Sequence, residues 1–280
     1  MIFDTRKCEL GEGPLWHPKR GQLFWFDILN KKLLSRVGDT ALEWQFTEMC
    51  SAAGWVSEND LLIASETQLF LFNLQTGAQR PIAPLEADNQ LTRSNDGRAD
   101  PQGGFWIGTM GKKTEKGAGA ICRYYRGGLR RLYAGITISN AICFAPNGKT
   151  AYFTDTVTAK VMRVALDSEG WPLGDPQLYL DLQTNPDGAV IDRAGNMWLA
   201  EWGSSRVGCY DATGALIGQA DFDAPNTSCP AFGGPDLTTL YCTTAQQHLD
   251  AAARAAHPKS GMVFAALGAG QGQAEPMVIL

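Results

Sequence analysis

The segments Asp100-Pro-Gln-Gly-Gly-Phe-Trp106 and Asp192-Arg-Ala-Gly-Asn-Met-Trp198 are two copies of one pattern. In each, an apolar run ends in a Gly-containing turn and a second apolar run leaves it. Looser copies are His17-Pro-Lys-Arg-Gly-Gln-Leu-Phe24 and Ala145-Pro-Asn-Gly-Lys-Thr-Ala-Tyr152, and further ones pass through Ser57-Glu-Asn-Asp60 and Gly233-Gly-Pro-Asp236. The spacing is about 40 to 47 residues, near that of propeller blades built from four strands each. Six copies fill the 280 residues. The runs that flank the turns, at 22–28, 61–65, 104–108, 150–154, 196–200 and 238–243, are aromatic or β-branched with rough alternation, as strands require. Helical periodicity is almost absent before the Ala-rich stretch 250–256, where one or two turns are expected. The reading is all-β: a six-bladed β-propeller in a single domain over 1–280. The first residues are expected to pair with the last blade, because an open ring would leave exposed strand edges.

Composition narrows what such a domain does. Hydrophobic residues are 44% and charged residues 19%, which excludes wholesale disorder. A net charge of −5 without a long basic run argues against a nucleic-acid partner. The one concentrated set of cations, Arg123, Arg126, Arg130 and Arg131, reads as the solvated side of a hairpin. Charges at Asp4, Arg6, Lys7 and Glu9 interrupt any apolar leader, and no window approaches a membrane span. The seven cysteines are scattered without a C-x-x-C pair, so buried free thiols fit better than disulfides. A cytoplasmic protein with no membrane partner is the expectation.

Five residues before each turn stand Glu12, Ala52, Asn95, Asn140, Asp187 and Ser228. Equivalent positions on the innermost strands of a propeller surround the central channel. Two carboxylates brought together there would repel, and one would have to take a proton unless a cation lay between them. A divalent ion neutralised by Glu12 and Asp187 resolves the conflict, with Asn140 and Asn95 as candidates to complete its shell. The competing local explanation is that Asn-Asp-Gly and Pro-Asp-Gly are ordinary turn formers. An all-oxygen shell suits calcium, magnesium or manganese, while zinc more often recruits His or Cys. His17, His248 and His257 all fall outside this phase, and His17 beside Pro18 reads as a turn residue.

A set of short stretches resembles the gluconolactonase and regucalcin (senescence marker protein) family of six-bladed propellers. They are Leu10-Gly-Glu-Gly-Pro-Leu-Trp16, Arg93-Ser-Asn-Asp-Gly-Arg-Ala-Asp100, Gly108-Thr-Met110, Ile138-Ser-Asn140, Pro186-Asp-Gly188 and Thr227-Ser-Cys229 with Phe232-Gly-Gly234. Gly261-Met-Val-Phe264 and the Gly-rich segment after it look like the family's closing strand. The resemblance implies metal-dependent hydrolysis of a sugar lactone. It makes Glu12, Asn140 and Asp187 the ligands of one divalent metal ion (calcium, zinc, manganese or magnesium). It makes Asn95 a contact of substrate or of water on the metal, and Arg93 a substrate-binding residue. The segment 111–119 becomes a loop over the channel mouth, with Glu115, Lys112 and Lys113 as candidates to touch substrate.

No G-x-S-x-G elbow or Ser-His-Asp set is evident, so the metal would polarise the lactone carbonyl and activate water. Asp187 is the expected general base. The local alternative for Arg93 is an ion pair with an acid such as Asp96, itself read as a structural cap on its turn. Trp16, Trp106, Trp198 and Trp202 are expected mostly between blades, with the pocket wall as the alternative for Trp202. Other functions compatible with the same ion are a metal-dependent aryl esterase or organophosphate hydrolase, and a non-enzymatic calcium-binding regulator.

Overall fold

The computed structural model describes residues 1–280, in which 24 strands form six antiparallel sheets of four. Five sheets use consecutive strands. The sixth combines Thr227–Gly233, Thr239–Thr244 and Val263–Leu267 with Ile2–Asp4 from the other end of the chain. Ile2 lies opposite Phe264, and Asp4 opposite Val263. The ring of six blades is therefore closed by pairing the first strand to the last blade, as the edge-strand constraint requires. Every run read as a strand from the sequence lies within or across a strand of the structure. The Ala-rich stretch forms the helix Ala251–Ala256, whose first turn is capped by Asp250 Oδ1 accepting from Ala253 N at 2.8 Å.

Burial falls from the axis outward. The innermost strands Cys50–Trp55 and Ser139–Phe144 are buried throughout, while the outermost strand Leu216–Asp221 is almost wholly exposed. Apolar side chains fill the wedges between neighbouring blades. Phe24 and Phe26 of the first blade share one cluster with Phe70 and Phe72 of the second. Trp106 meets Phe144 edge-on at 5.5 Å, Trp198 meets Phe232 at 5.9 Å, and Trp16 stacks on Tyr241 at 5.8 Å. Each such side chain contributes roughly 1.5–3 kcal/mol by leaving water. All seven cysteines are buried and free.

Each innermost strand carries one extra residue relative to its partner, always near its start. The register breaks lie between Glu12 and Leu15, Cys50 and Ala52, Ser94 and Gly97, Asn140 and Cys143, Pro186 and Ala189, and Thr227 and Pro230. Such bulges re-aim side chains. They also correct the uniform five-residue phase. Glu12 and Asn140 are the last paired residues before their bulges, whereas Asn95 and Asp187 stand inside theirs. In the first and fourth blades the residue after the ring position, Gly13 or Ala141, takes a left-handed conformation (φ 52° and 55°). For alanine that conformation costs on the order of 1–2 kcal/mol.

Two local readings are corrected. Arg123 is not solvated: it is fully buried, donating Nε–H to Asp100 Oδ2 at 2.6 Å, with its guanidinium over the rings of Tyr125 and Trp171 at 4.4 Å. His17 is a buried strand residue, its Nε2 2.9 Å from the Ser57 carbonyl of the next blade. The Gly-rich segment after Val263–Leu267 differs too. It leaves the sheet and straps the end of the channel opposite the innermost strands' starts. Gly272 N donates to Leu237 O at 2.8 Å, Gln273 Nε2 to Ile191 O at 3.1 Å, Val278 N to Trp55 O at 2.8 Å and Ile279 N to Gly103 O at 2.8 Å. The strap thus ties blades six and five to blades two and three. A Cβ on Gly54 would lie 2.4 Å from Val278 Cγ2, so glycine opens the slot this valine fills. At the strap's centre the buried carboxylate of Glu275 pairs with the buried guanidinium of Arg98.

Removing one member of a buried pair strands the other charge, at a cost of about 3–5 kcal/mol. Glu275→Ala is therefore expected to lower the urea midpoint by a stability loss of that order. The double change Arg98→Met with Glu275→Leu is expected to recover most of it. A loss under about 1 kcal/mol in the single variant would show that the strap does not bear on ring stability.

Candidate functional site

The innermost strands all begin at one end of the channel, and a cavity of about 420 Å³ opens there. Its walls hold Glu12 from the first blade, Arg93 and Asn95 from the third, Asn140 from the fourth and Asp187 from the fifth. They come from four blades and meet because the ring is closed. Each of them is buried. The other two ring positions do not contribute: Ala52 has no polar atom, and Ser228 Oγ donates into the wall to Gly11 O at 2.5 Å.

Hydrogen bonds fix how these side chains face. Arg93 Nη1 donates to Ser94 O and to Asn95 Oδ1, both at 2.8 Å. Asn95 Nδ2 donates to Asn140 Oδ1 at 3.0 Å and to Ser139 O at 2.9 Å. Asn140 Nδ2 then donates to Thr156 Oγ1 at 2.9 Å, and that hydroxyl donates to Pro186 O at 2.8 Å. The chain spans three blades and turns every donor in one direction. It fixes the amide of Asn140 with its NH₂ toward the wall, leaving one lone pair of Oδ1 uncommitted. Arg93 therefore bonds Asn95 rather than pairing with Asp96. Asp96 Oδ2 accepts from Ile142 N of the next blade at 2.7 Å, so this acid ties two blades together.

The electrostatics follow from burial. Loss of water, with the charge of Asp96 next, pushes the Glu12 carboxyl up to about 8. Burial and then the Glu12 charge raise Asp187 well above the usual carboxylate range. Asp96 rises to about 6 for the same first reason, against the hydrogen bond from Ile142. Burial lowers Arg93 to about 10, opposed by Glu12, Asp187 and Glu66, so it stays cationic at neutral pH. Two buried carboxylates thus share one guanidinium. Glu12 Oε2 accepts from Gly13 N at 3.1 Å, and both acids line the cavity. Two carboxylates and an amide oxygen form a donor set that fits a hard divalent cation.

The rim brings residues that spacing did not reveal. Thr156 and Val157 come from a short turn after Thr150–Asp155, and Gln247 and His248 from the segment before the helix. They lie off the innermost strands, so no step along the repeat reaches them. Trp202 does stand at the rim, half-buried. The loop 111–119 contributes Lys112, Lys113 and Thr114. Glu115 is corrected: its Oε2 turns back to accept from Lys113 N at 3.0 Å, and it forms no part of the wall. None of the cysteines lines the cavity, and His17 and His257 lie outside it.

Comparison with known proteins places this architecture. A protein of Rhizobium meliloti named "Putative sugar lactone lactonase" is 41% identical over 263 residues, which are 91% of this chain and 89% of that one. A pentonolactonase of Haloferax volcanii is 32% identical across 95% of this chain and 91% of its own. The crystal structure of a calcium-binding protein, regucalcin, from Agrobacterium tumefaciens superposes with a TM-score of 0.96 at 40% identity, covering 100% of this chain and 97% of that one. Residues 10–246 match the family described as the SMP-30/Gluconolactonase/LRE-like region. The chain belongs to the SMP-30/gluconolactonase/LRE-like family.

Proposed function

We propose that this protein is a hydrolase of sugar lactones, dependent on one divalent cation held by Glu12, Asn140 and Asp187. The observation that carries the reading is the pair of buried carboxylates, Glu12 and Asp187, lining one cavity with the Asn140 amide. Relatives named as lactonases across nearly their whole length support the same reaction class. When bound, the cation supplies Lewis-acid polarisation of the ester carbonyl and makes water more acidic.

The protein's own groups do the rest. Arg93 has committed only Nη1, so its other donors are free for the ring hydroxyls or carbonyl of the lactone. Asn95 and Asn140, locked by the chain through Thr156, hold fixed dipoles around the reacting carbon. Asp187 accepts the proton of the attacking water. The ring C–O bond then breaks, its oxygen takes a proton, and the new acid ionises, releasing one proton per turnover. Leu29, Met49, Val157 and Trp202 give the mouth apolar faces against which a sugar ring can pack. A second reading, a calcium-binding protein without turnover, is favoured by the description of the regucalcin structure as calcium-binding.

Proton release from a panel of aldonolactones separates the two, using metal-stripped protein and protein reloaded with manganese, calcium, magnesium or zinc. Hydrolysis restored by a cation is expected, with Asp187→Ala slower by roughly 10²–10⁴-fold. Tight calcium binding with no proton release on any lactone would favour the second reading, and full activity in Asp187→Ala would remove the role given to Asp187.

The raised carboxyl of Glu12 also predicts a stability profile. Its folded-state value of about 8 exceeds the ordinary 4.5, so the metal-free folded state holds this proton more tightly than the unfolded chain does. The stabilisation is complete below about 4.5 and is lost as pH rises to about 8. Thermal unfolding of metal-stripped protein should show the midpoint falling across that window. Glu12→Gln should flatten the fall, and added cation should raise the midpoint more at pH 8 than at pH 5. An equal slope in wild type and Glu12→Gln would contradict the assignment.

A further inference from the structure

The cations of the cavity are gathered on one wall. Arg93 lies opposite Met110 in the third blade, and Lys112 N donates to Leu91 O at 2.8 Å, extending that ladder by one step. Side chains two residues apart on a strand share a face. Met110, Lys112 and Arg93 therefore stand on one face, with Arg93 and Lys112 as diagonal neighbours, and all three line the cavity. Lys113 and Thr114 continue the same wall at the mouth.

The loop that carries them is anchored. Thr114 N donates to Gly111 O at 2.8 Å, Gly117 N to Thr137 Oγ1 at 3.1 Å, and Glu115 caps Lys113 N. Glu115 is thereby spent on its own backbone rather than on a neighbouring ammonium. Among the cations, Lys112 pairs with Glu66 at 3.3 Å, whereas Lys113 has no carboxylate partner. The cavity's acids, Glu12 and Asp187, belong to the first and fifth blades, across the channel. Once they are engaged by a divalent cation, the three cationic side chains of this wall outnumber the two carboxylates beside them, Glu66 and Glu115, in a protein whose net charge is −5. A local field opposite in sign to the whole molecule selects for what enters the cavity.

We propose that Arg93, Lys112 and Lys113 form an anion-binding wall, and that the preferred substrates are sugar lactones bearing a second acidic group remote from the ring ester. A terminal carboxylate, phosphate or sulfonate meets this chemistry equally. The inference rests on the lactonase reading and adds the substrate's charge. Lys113 supplies attraction from the mouth, and the guanidinium fork of Arg93 supplies directed hydrogen bonds deeper in.

The test compares kcat/KM of the cation-loaded protein for a neutral aldonolactone with that for lactones of the same ring ending in carboxylate, phosphate or sulfonate. The expected result is a preference of about tenfold or more for an anionic lactone, falling as salt shortens the screening length from about 30 Å at 0.01 M to about 8 Å at 0.15 M. The anionic-to-neutral ratio is expected to drop about tenfold in Lys113→Ala, to invert in Lys113→Glu and to persist in Lys113→Arg. Lys116→Ala, on the same loop but off the wall, should leave the ratio as in wild type. The three anionic arms identify which acid the wall accepts. Hydrolysis with equal or greater efficiency on neutral lactones, or a ratio insensitive to Lys113, overturns this inference while leaving the lactonase reading intact. No hydrolysis of either class with any cation overturns both.

Discussion

Burying Glu12 and Asp187 in one cavity raises the energy of both ionised carboxylates, and the one guanidinium of the cavity, Arg93, offsets that cost only in part. That imbalance is maintained by the fold. The two acids come from the first and fifth blades, and only a closed ring sets them around a shared axis. Closure is made twice: Ile2–Asp4 pairs with Val263–Leu267 at the rim, and the strap around Glu275 crosses the channel's far end. Both devices hold the two acids around one axis. A divalent cation would offset the cost of ionising them there, which is the physical content of the proposed site.

Precision at the mouth comes from the bulges and from the amide chain. One extra residue near the start of every innermost strand breaks the plain alternation and turns side chains toward the axis. In the fourth blade this places Ala141 in a left-handed conformation, a cost borne beside Asn140. The run from Arg93 through Asn95 and Asn140 to Thr156 then removes the rotational freedom of three polar side chains. Fixed dipoles of this kind do not need to reorganise when charge develops on a substrate.

Much of this was legible in the sequence because the repeat is local. Turns such as Asp100-Pro-Gln-Gly and Asp192-Arg-Ala-Gly recur within each blade, and counting back from them found Glu12, Asn95, Asn140 and Asp187. The exact phase was hidden because a bulge interrupts each innermost strand, and Glu12 and Asn140 precede theirs while Asn95 and Asp187 stand inside theirs. Thr156 escaped because it sits on a turn outside the innermost strand, and its role depends on where Asn140 and Pro186 come together. Arg123 read as solvated because its neighbours Arg126, Arg130 and Arg131 are hairpin residues. Its burial follows from Asp100, a turn residue 23 positions away. The strap was misread for a related reason. Its glycines suggest a weak strand, whereas its meaning lies in contacts with Leu237, Ile191, Trp55 and Arg98, each from a different blade or turn.

The most direct measurement is an anomalous difference map from crystals soaked in manganese. A single strong peak within coordination distance of Glu12, Asp187 and Asn140 Oδ1 is the expected result. No peak in the cavity, or a peak held by other residues with Glu12 and Asp187 unengaged, would contradict the cation site on which the proposed reaction depends.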